Sequence, residues 1–557
     1  MTSSFVAFFA LQLILGSVDL SDSNYAVVTS YNTLNLSNWA DVAESLALKR
    51  NARIFVYQDD MEEVLDSLRA FNPRYIAFLE APIYIFTNNG EEYVRKVFQL
   101  TRSLDDDPYG DALWGIITGF YPEDALKLIS GPDEIEIKTA LLKCCGGWLQ
   151  YFYQGIYFSE TNYNEMWTKL PDGTIIDTIP GPTDCTDTLV KLLNTDTFDI
   201  MVTSGHASSH DWQLHYPDPG LEGFFRSYMG QVYGDPHEGP DINIESTNPK
   251  IYYAPGNCLI GLVSDFDCMV LAWIRSGGAH QYVGYTVETW HGYMGWGISY
   301  YFLRFAGRYD FQESHYFNNQ SLLFDLDRGT PGTDSTGLEY DRDVVAFYGD
   351  PACRMSLYPV TDPLYEEELT VSQGSERDTF TYRITMVQEG TPGTPGGRQP
   401  IAFLPYRIDS AEVLSIDAYD VLITDDFVLM QIWKQGDDPL EPGDTREVTF
   451  TAKRALSVGE GLSSPPKLSL HVEPNPASGS LELSFSLAEA GQVRINVYDA
   501  AGRKLGTLRK CLSVGHHRIV LKSEYFGASG IYFVEALAGG KREIARVIWL
   551  GNQEASR

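Results

Sequence analysis

Between residues 25 and 119, short β-rich runs alternate with amphipathic stretches, and this alternation constrains the fold more than any other feature of the sequence. Strands and helices that alternate along a chain predict a mostly parallel sheet with helices on both faces. The predicted strands are 25–31, 53–58, 74–80 and 113–119, and the predicted helices lie near 38–50, 60–71 and 91–103. We therefore predict a fold of the α/β class.

The same alternation returns after residue 185 and extends the predicted α/β region to about residue 360. Its predicted elements are a helix near 185–194, strands within 198–204 and 250–258, a helix near 265–276 and a strand at 281–286. Farther along, alternating runs at short spacing predict two β-sandwiches of immunoglobulin-like type. They cover 361–456 and 467–551, with a linker at 457–466.

Composition limits the classes of partner. The formal charge is −34 and apolar residues make up 44% of the chain, which predicts packed cores under an acidic surface. Such a surface repels phosphate, so nucleic acid is excluded as a partner, whereas cationic substrates and divalent cations suit it.

The N-terminus predicts export. An apolar run at 5–15 is too short to span a bilayer and is followed by small and polar residues, so residues 1–22 are predicted to be a signal peptide. An ordinary first strand is the alternative. No other segment approaches a transmembrane span, and the predicted location is therefore extracellular.

Two predicted strands end in residues that carry chemistry. His206 follows the strand within 198–204 directly, after Gly205, and Cys258 follows the strand that begins at residue 250. Ligands of open α/β sheets bind where the carboxyl ends of parallel strands meet, so we expect His206 and Cys258 to lie together.

A thiol beside an imidazole is a nucleophile beside its base. Acyl transfer also needs donors to the oxyanion, and the amides of Ala207 and Cys258 could supply them. The alternatives are a structural histidine and a disulfide, in particular one between Cys258 and Cys268. The chain has seven cysteines, so in an exported protein at least one thiol stays unpaired.

At these residues the sequence resembles the caspase-like cysteine peptidases and, within them, the gingipain family. The histidine block of that family matches here at Gly205, His206, Ser208 and Trp212, and its cysteine motif matches at Cys258 to Gly261. Residues 105–126 resemble the segment that precedes the catalytic half of the family's domain, and residues 344–353 resemble the Gly-Asp-Pro block that closes it. The similarity covers about residues 25–360, so we assign 23–360 to a gingipain-like peptidase domain.

The resemblance implies a hydrolase that cleaves peptide bonds through a thioester intermediate. It makes His206 the general base, Cys258 the nucleophile and the amides of Ala207 and Cys258 the oxyanion hole. It also places Trp290 over the pocket for the substrate's side chain, with an ordinary packed tryptophan as the alternative. The predicted substrates are proteins or peptides.

The resemblance implies no required cofactor, and we assign no metal-ligating residue. Calcium is the one structural ion it suggests, because gingipain-like enzymes commonly bind it and carboxylates are suitable ligands. A solvated acidic surface is the alternative. The acidic groups concerned are Asp105 to Asp107 with Asp111, Asp265 with Asp267, and the acidic residues of 324–343.

The chain departs from the family pattern at three points. Ala207 and Ile260 replace a glycine and an asparagine of the family. The run at 138–147 is equivalent to a strand of the family that acidic residues follow, but here no acidic residue occurs after it until Glu160. The family's specificity for basic substrate residues therefore cannot be transferred to this chain. Glu160 is the remaining candidate for an acidic residue of the site. An inactive peptidase-like surface protein with a binding or structural role is the alternative function.

The C-terminal segment has its own resemblance. Pro474-Asn475-Pro476, Asp499, Gly502-Arg503 and Gly530-Ile531-Tyr532 resemble the sorting domain of the type IX secretion pathway, which is similar to the immunoglobulin-like domain of flagellar hook-capping proteins. This resemblance implies a secreted or cell-surface bacterial protein whose C-terminal domain contacts the secretion machinery.

Overall fold

A computed structural model describes most of the chain in two compact units. The larger unit lies within 85–455, and the smaller one combines 24–84 with the residues described within 470–550. The predicted signal peptide and linker lie outside the described residues. These are 24–177, 181–330, 332–393, 398–455, 470–473, 475–487, 491–500, 502–512, 515–538 and 541–550.

The N-terminal part of the smaller unit follows the predicted alternation. Strand β1 pairs in parallel with both β2 and β3. The elements are β1 (Tyr25–Ser30), α1 (Tyr31–Asn35), α2 (Trp39–Arg50), β2 (Arg53–Tyr57), a 3-10 turn (Met61–Val64), α3 (Leu65–Phe71) and β3 (Tyr75–Leu79), after which comes α4 (Pro82–Phe86). Behind β3, the buried carboxylate of Glu80 accepts hydrogen bonds from the hydroxyls of Ser30 and Tyr57, each at 2.7 Å.

Two antiparallel sheets form the C-terminal part of the smaller unit, and they enclose a core that includes Leu481, Phe485, Val497 and Trp549. Arg494 lies 3.1 Å from Asp41 of α2, which joins the two parts of this unit. The strands, numbered in chain order with the others, are β26 (His471–Glu473), β27 (Ser480–Leu487), β28 (Gly491–Asp499), β29 (Lys504–Leu512), β30 (Gly515–Lys522), β31 (Gly530–Ala538) and β32 (Lys541–Trp549).

A mixed sheet is the centre of the larger unit. Its order is β4-β17-β16-β15-β10-β6-β7-β8-β9, and its pairs are parallel except β16 with β17, β7 with β8 and β8 with β9. The strands are β4 (Leu113–Ile117), β6 (Thr139–Leu142), β7 (Gln154–Phe158), β8 (Met166–Lys169), β9 (Ile175–Asp177), β10 (Ile200–Val202), β15 (Lys250–Ala254), β16 (Ala279–Tyr285) and β17 (Val345–Tyr348). The central strands are buried on both faces, as their continuous apolar runs predict.

Helices and smaller sheets surround this mixed sheet. The helices are α5 (Gly90–Thr101), α6 (Pro122–Ser130), a 3-10 segment (Gly146–Tyr151), α7 (Thr186–Leu193), α8 (Met269–Ala272) with a π-turn (Trp273–Gly277), α9 (Tyr293–Arg304), α10 (Phe311–Arg328) and α11 (Ser335–Asp341). The additional strands are β5 (Glu134–Ile137) paired with β18 (Arg354–Leu357), and β11 (Asp211–Gln213), β12 (Phe224–Tyr228), β13 (Gln231–Asp235) and β14 (Ile242–Asn243) in one antiparallel sheet.

The rest of the larger unit consists of two antiparallel sheets with the orders β19-β20-β25-β22 and β21-β24-β23. Their strands are β19 (Tyr365–Ser372), β20 (Asp378–Met386), β21 (Ile401–Phe403), β22 (Ile408–Asp417), β23 (Asp420–Ile423), β24 (Phe427–Gln431) and β25 (Thr445–Arg454). The predicted α/β class, followed by antiparallel sheets, is confirmed, and the large sheet is mixed.

The helix predicted near 265–276 is wrong at its start. Helix α8 begins at Met269 because the preceding acidic side chains form other contacts. The carboxylate of Asp265 lies 2.9 Å from His210 Nε2, and Asp267 accepts the backbone N–H of Met229 at 2.7 Å. These two residues of a predicted acidic group therefore connect loops.

His315 on α10 makes the stability of the larger unit dependent on pH. Its ring is buried beside Phe98, Trp114 and Phe347, and its Nε2 lies 3.0 Å from the carbonyl oxygen of Val345. Burial lowers the pKa of His315 to about 4. In the unfolded chain the His315 imidazole binds a proton near pH 6.5. Neutral His315 therefore contributes fully to the free energy of unfolding above that pH, and this contribution is lost as pH falls toward about 4.

Replacing His315 should therefore flatten the acid side of the stability curve. Between pH 7 and pH 4 we expect the wild-type free energy of unfolding to fall by up to about 3 kcal/mol more than that of His315→Gln. Denaturant titrations at the two pH values measure this difference, with the exposed His237→Gln as the control. Parallel curves for wild type and His315→Gln would contradict the assignment.

Candidate active site

The strands that lead to His206 and Cys258 are neighbours in the sheet. β10 and β15 are parallel, with Val202 opposite Tyr253, and the backbone N–H of Thr203 donates to the carbonyl oxygen of Tyr253 at 3.0 Å. As a result, the segments that follow β10 and β15 leave the sheet at the same edge. The segments that carry the imidazole and the thiol therefore begin side by side.

Asn257 joins these two segments. Its Nδ2 donates to the carbonyl oxygen of Gly205 at 3.1 Å, and its Oδ1 accepts the hydroxyl of Thr203 at 2.9 Å. The Asn257 side chain is fully buried. One amide thus connects the residue before His206 to the residue before Cys258, and the spacing of the two segments depends on it.

His206 is exposed at this edge. Gly205 has a φ of +94°, a backbone conformation that favours glycine and turns the chain out of the strand. The His206 ring packs against Tyr216, with 5.1 Å between ring centroids. The imidazole is therefore both supported and open to solvent.

Ala207 lies opposite Trp212 in a short antiparallel bridge. The hydrogen bonds of this bridge are made by the residues on either side of Ala207 and Trp212. The N–H of Ser208 donates to Asp211 and the N–H of Gln213 donates to His206. In an antiparallel ladder, the residues of such a non-hydrogen-bonded pair do not use their own amides in the pairing. The Ala207 amide is thus outside the ladder.

The Cys258 thiol is half-buried and free. The backbone N–H of Thr289 donates to its Sγ at 3.2 Å. Cys268 is also a free thiol, so the alternative of a Cys258–Cys268 disulfide is wrong in this structure.

The segment after Cys258 is held against the sheet by close backbone contacts. Gly261 is required here, because a Cβ at this position would lie 2.2 Å from the carbonyl oxygen of Gly284. The buried hydroxyls of Tyr282 and Tyr348 donate to the carbonyl oxygens of Ile260 and Gly261 at 2.6 and 2.7 Å. Ile260, a departure from the family pattern, therefore still contributes its carbonyl to a fixed loop.

Among the six described cysteine side chains, only those of Cys258 and Cys145 are partly exposed. Burial raises the pKa of Cys144 and of Cys185 well above the usual range, and it raises the pKa of Cys268 to about 12. Such buried thiols are inert, which leaves two thiols accessible for reaction.

Trp290 is not a packed tryptophan. Its side chain is 71% exposed, and it follows Thr289, the residue whose amide contacts Cys258. The structure therefore brings Trp290 to the same edge as the thiol.

Glu160 lies beside the histidine segment. Its backbone carbonyl accepts the N–H of Tyr216 at 2.6 Å, and the side chain of Ser204 lies close to its carboxylate. Burial raises the pKa of this carboxyl, and its Oε2 is buried without a hydrogen-bond partner. Glu160, the first acidic residue after residue 139, thus contacts the residue whose ring packs on His206.

A buried ion pair lies under this region and could not be found from the sequence. Lys143 follows β6 directly, and its Nζ lies 2.9 Å from Glu222 Oε2 and 2.5 Å from the carbonyl oxygen of Ser159. Both charged side chains are almost completely buried. Removing either partner would leave an uncompensated charge. The pair links the end of β6 to the segments that carry Ser159 and Glu222.

A cleft of about 410 Å³ opens beside the cysteine segment. Trp148 stacks on Tyr253 with 6.2 Å between ring centroids, and Trp296 packs so closely on Gly256 that a Cβ there would lie 2.8 Å from its ring. The lining residues are Gly147, Trp148, Gln150, Tyr151, Trp296, Ser299, Tyr300, Leu303, Arg304 and Arg398. Their indole rings and guanidinium groups form a basic aromatic surface on an acidic protein.

Comparison with known proteins supports the C-terminal prediction. Residues 471–549 match the family described as the secretion system C-terminal sorting domain. This match confirms the type IX sorting domain and indicates a secreted or cell-surface protein. No helix in the described part of the chain is both long and apolar enough to cross a bilayer.

No curated protein matches the chain. Among solved structures, it is similar to dimeric latent PorU from Porphyromonas gingivalis, at 10% identity and a TM-score of 0.21, over 95% of this chain and 64% of PorU. It is also similar to PorZ, an essential surface component of the type IX secretion system of the same organism, at 15% identity and a TM-score of 0.11, over 34% of this chain and 22% of PorZ. The chain thus spans less than two thirds of the length of either protein.

Asn257 should contribute to stability as well as to the site. Asn257→Ala removes the side-chain donor to the Gly205 carbonyl and one of the two partners of the buried Thr203 hydroxyl, so we expect a loss of about 1–3 kcal/mol in the free energy of unfolding. Denaturant unfolding measures this loss. The exposed Asn243→Ala is the matched control, and equal stability of the two variants would count against a joining role for Asn257.

Proposed function

We propose that this protein is a secreted cysteine endopeptidase with Cys258 as nucleophile and His206 as general base and acid. The observation that carries the proposal is the Asn257 side chain, which hydrogen-bonds the two strand-end segments to each other. A half-buried free thiol and an exposed imidazole on those segments are the groups that nucleophilic catalysis requires. The sorting domain supports action outside the cell.

The proposed reaction has two halves. The Cys258 thiolate attacks the carbonyl carbon of a peptide bond, and His206, protonated by the thiol, transfers that proton to the leaving amine. The resulting thioester is attacked by a water molecule that gives a proton to His206. The second half releases the carboxylic acid and restores the thiol.

The oxyanion of each tetrahedral intermediate needs donors that are in place before the reaction. We assign the amides of Ala207 and Cys258 to this role. The position of Ala207 outside the ladder supports this assignment, because its N–H is not consumed by pairing with Trp212.

Glu160 is proposed as a positioning residue for His206. Its carboxylate contacts Ser204. Its backbone carbonyl accepts the N–H of Tyr216, whose ring packs on the His206 imidazole. Both contacts lie on the segment that carries His206, so they restrict the motion of the imidazole.

The aromatic cleft is proposed to bind a side chain of the substrate. It adjoins the cysteine segment through Gly256 and Tyr253, and Trp148 and Trp296 offer flat apolar walls. Arg304 and Arg398 add positive charge, and the buried Tyr300 hydroxyl has no hydrogen-bond partner. These groups suit an acidic substrate residue, while the exposed Trp290 suits an apolar contact nearer the thiol.

Turnover tests the nucleophile directly. Cys258→Ala should abolish hydrolysis of an unfolded protein substrate while leaving the melting curve nearly unchanged, because a half-buried thiol contributes little packing. Cys145→Ala, which removes the other partly exposed described thiol, is the matched control and should remain active. Activity retained in Cys258→Ala would overturn the mechanism, and a wild-type chain without turnover would favour an inactive peptidase-like binding protein.

A positional peptide library tests the cleft. We expect the wild type to prefer acidic residues at one position. Arg304→Gln should reduce kcat/KM for those peptides by about 10- to 100-fold, since a charge-assisted hydrogen bond contributes about 1.5–3 kcal/mol. Neutral peptides should be cleaved as before. Arg69→Gln, an exposed arginine of the smaller unit, is the control, and an unchanged preference in Arg304→Gln would remove the cleft from the substrate site.

A further inference from the structure

Five aspartates from two distant parts of the chain converge in the larger unit. Asp105, Asp107 and Asp111 lie in the loop between α5 and β4, and Asp425 and Asp426 lie in the turn between β23 and β24. One carboxylate oxygen from each of Asp105, Asp111 and Asp425 lies within 4.8 Å of the other two. Asp425 could not be assigned to this group from the sequence, because more than three hundred residues separate it from Asp111.

One guanidinium group faces this cluster. Arg407 Nη1 lies 2.7 Å from Asp425 Oδ2 and 3.7 Å from Asp111 Oδ1. The opposite oxygens, Asp111 Oδ2 and Asp425 Oδ1, are buried and have no hydrogen-bond partner. Asp111 is only 4% exposed. Arg407 therefore satisfies one side of these two carboxylates and leaves the other side without a donor.

The geometry of the cluster indicates a missing positive charge, because a single guanidinium group faces three carboxylates whose oxygens lie close together. Buried carboxylates are normally paired or bound to a metal, because an uncompensated charge in the interior is costly. Asp111 is the most deeply buried of the three aspartates, and its Oδ2 has no hydrogen-bond partner.

We propose that Asp105, Asp111 and Asp425 bind a calcium ion. Calcium takes six to eight oxygen ligands at about 2.4 Å in flexible geometry, whereas magnesium at about 2.1 Å demands a near-ideal octahedron and usually keeps several waters. Ligands from two separate loops form an irregular site, which calcium tolerates and magnesium does not. A secreted protein also meets calcium at the concentrations for which extracellular sites are built.

The bound ion would connect two layers of the larger unit. It would hold the loop before β4, a strand of the mixed sheet, to the turn before β24 of the antiparallel sheets. This role is structural, so it is independent of the proposed peptidase activity.

Thermal melting of the full-length protein tests the proposal. After removal of metal with a chelator, millimolar CaCl₂ should raise the melting temperature by several degrees, because a ligand that binds only the folded state stabilises it. Calorimetric titration with calcium should give a saturable site that depends on these aspartates. Equal concentrations of MgCl₂ should give a clearly smaller shift, and an equal shift would overturn the assignment to calcium.

Variants locate the site. Asp425→Asn should abolish the calcium-dependent shift, whereas Asp106→Asn, an exposed aspartate of the same loop, should retain it. If Asp425→Asn does not fold, Asp105→Asn serves as the second variant, and terbium luminescence sensitised by the adjacent Tyr109 reports binding without any melting. Absence of binding in the wild type, or a calcium response unchanged in the ligand variants, would overturn the proposal.

Discussion

The parallel pairing of β10 with β15 is the constraint on which the candidate site depends. Parallel neighbours end at the same edge of a sheet, so the residues that follow them share one surface regardless of their distance along the chain. The buried amide of Asn257 then determines how far apart the two segments can be. Without this pairing, His206 and Cys258 would be unrelated residues on two loops.

Rigidity around the thiol comes from buried polar contacts. Tyrosine hydroxyls reach from β16 and β17 to the carbonyl oxygens of the cysteine loop, and the close approach of Gly261 to Gly284 leaves no room for a side chain. A catalytic group must be held by neighbours that are themselves immobile. The histidine segment is held by Tyr216 and Ser204, both of which contact Glu160.

The sequence was informative where local pattern and topology agree. Continuous apolar runs predicted the buried strands, and the rule on strand ends was sufficient to select His206 and Cys258. The sequence was uninformative where a contact exists only in three dimensions. Asn257, Trp148, Trp296 and Asp425 carry no local signal, because each acquires its role from a partner on another element.

Misplaced or missing elements have the same cause. Residues 265–268 have the composition of a helix start, but Asp265 pairs with His210 and Asp267 binds a backbone amide, and these contacts compete with helix formation. Helix α10 is buried almost all round and includes polar residues such as Asn318 and Asn319, so it lacks the one-sided apolar stripe by which surface helices are predicted.

The central claim is that one imidazole activates one thiol at the shared edge of β10 and β15. The most direct measurement is mass mapping of the native protein after reaction with a peptide that carries a thiol-reactive electrophile. Our account predicts a single adduct at Cys258, with none at Cys145, and a much slower reaction in His206→Ala. Labelling at Cys145 instead, or an unchanged rate at Cys258 in His206→Ala, would contradict it.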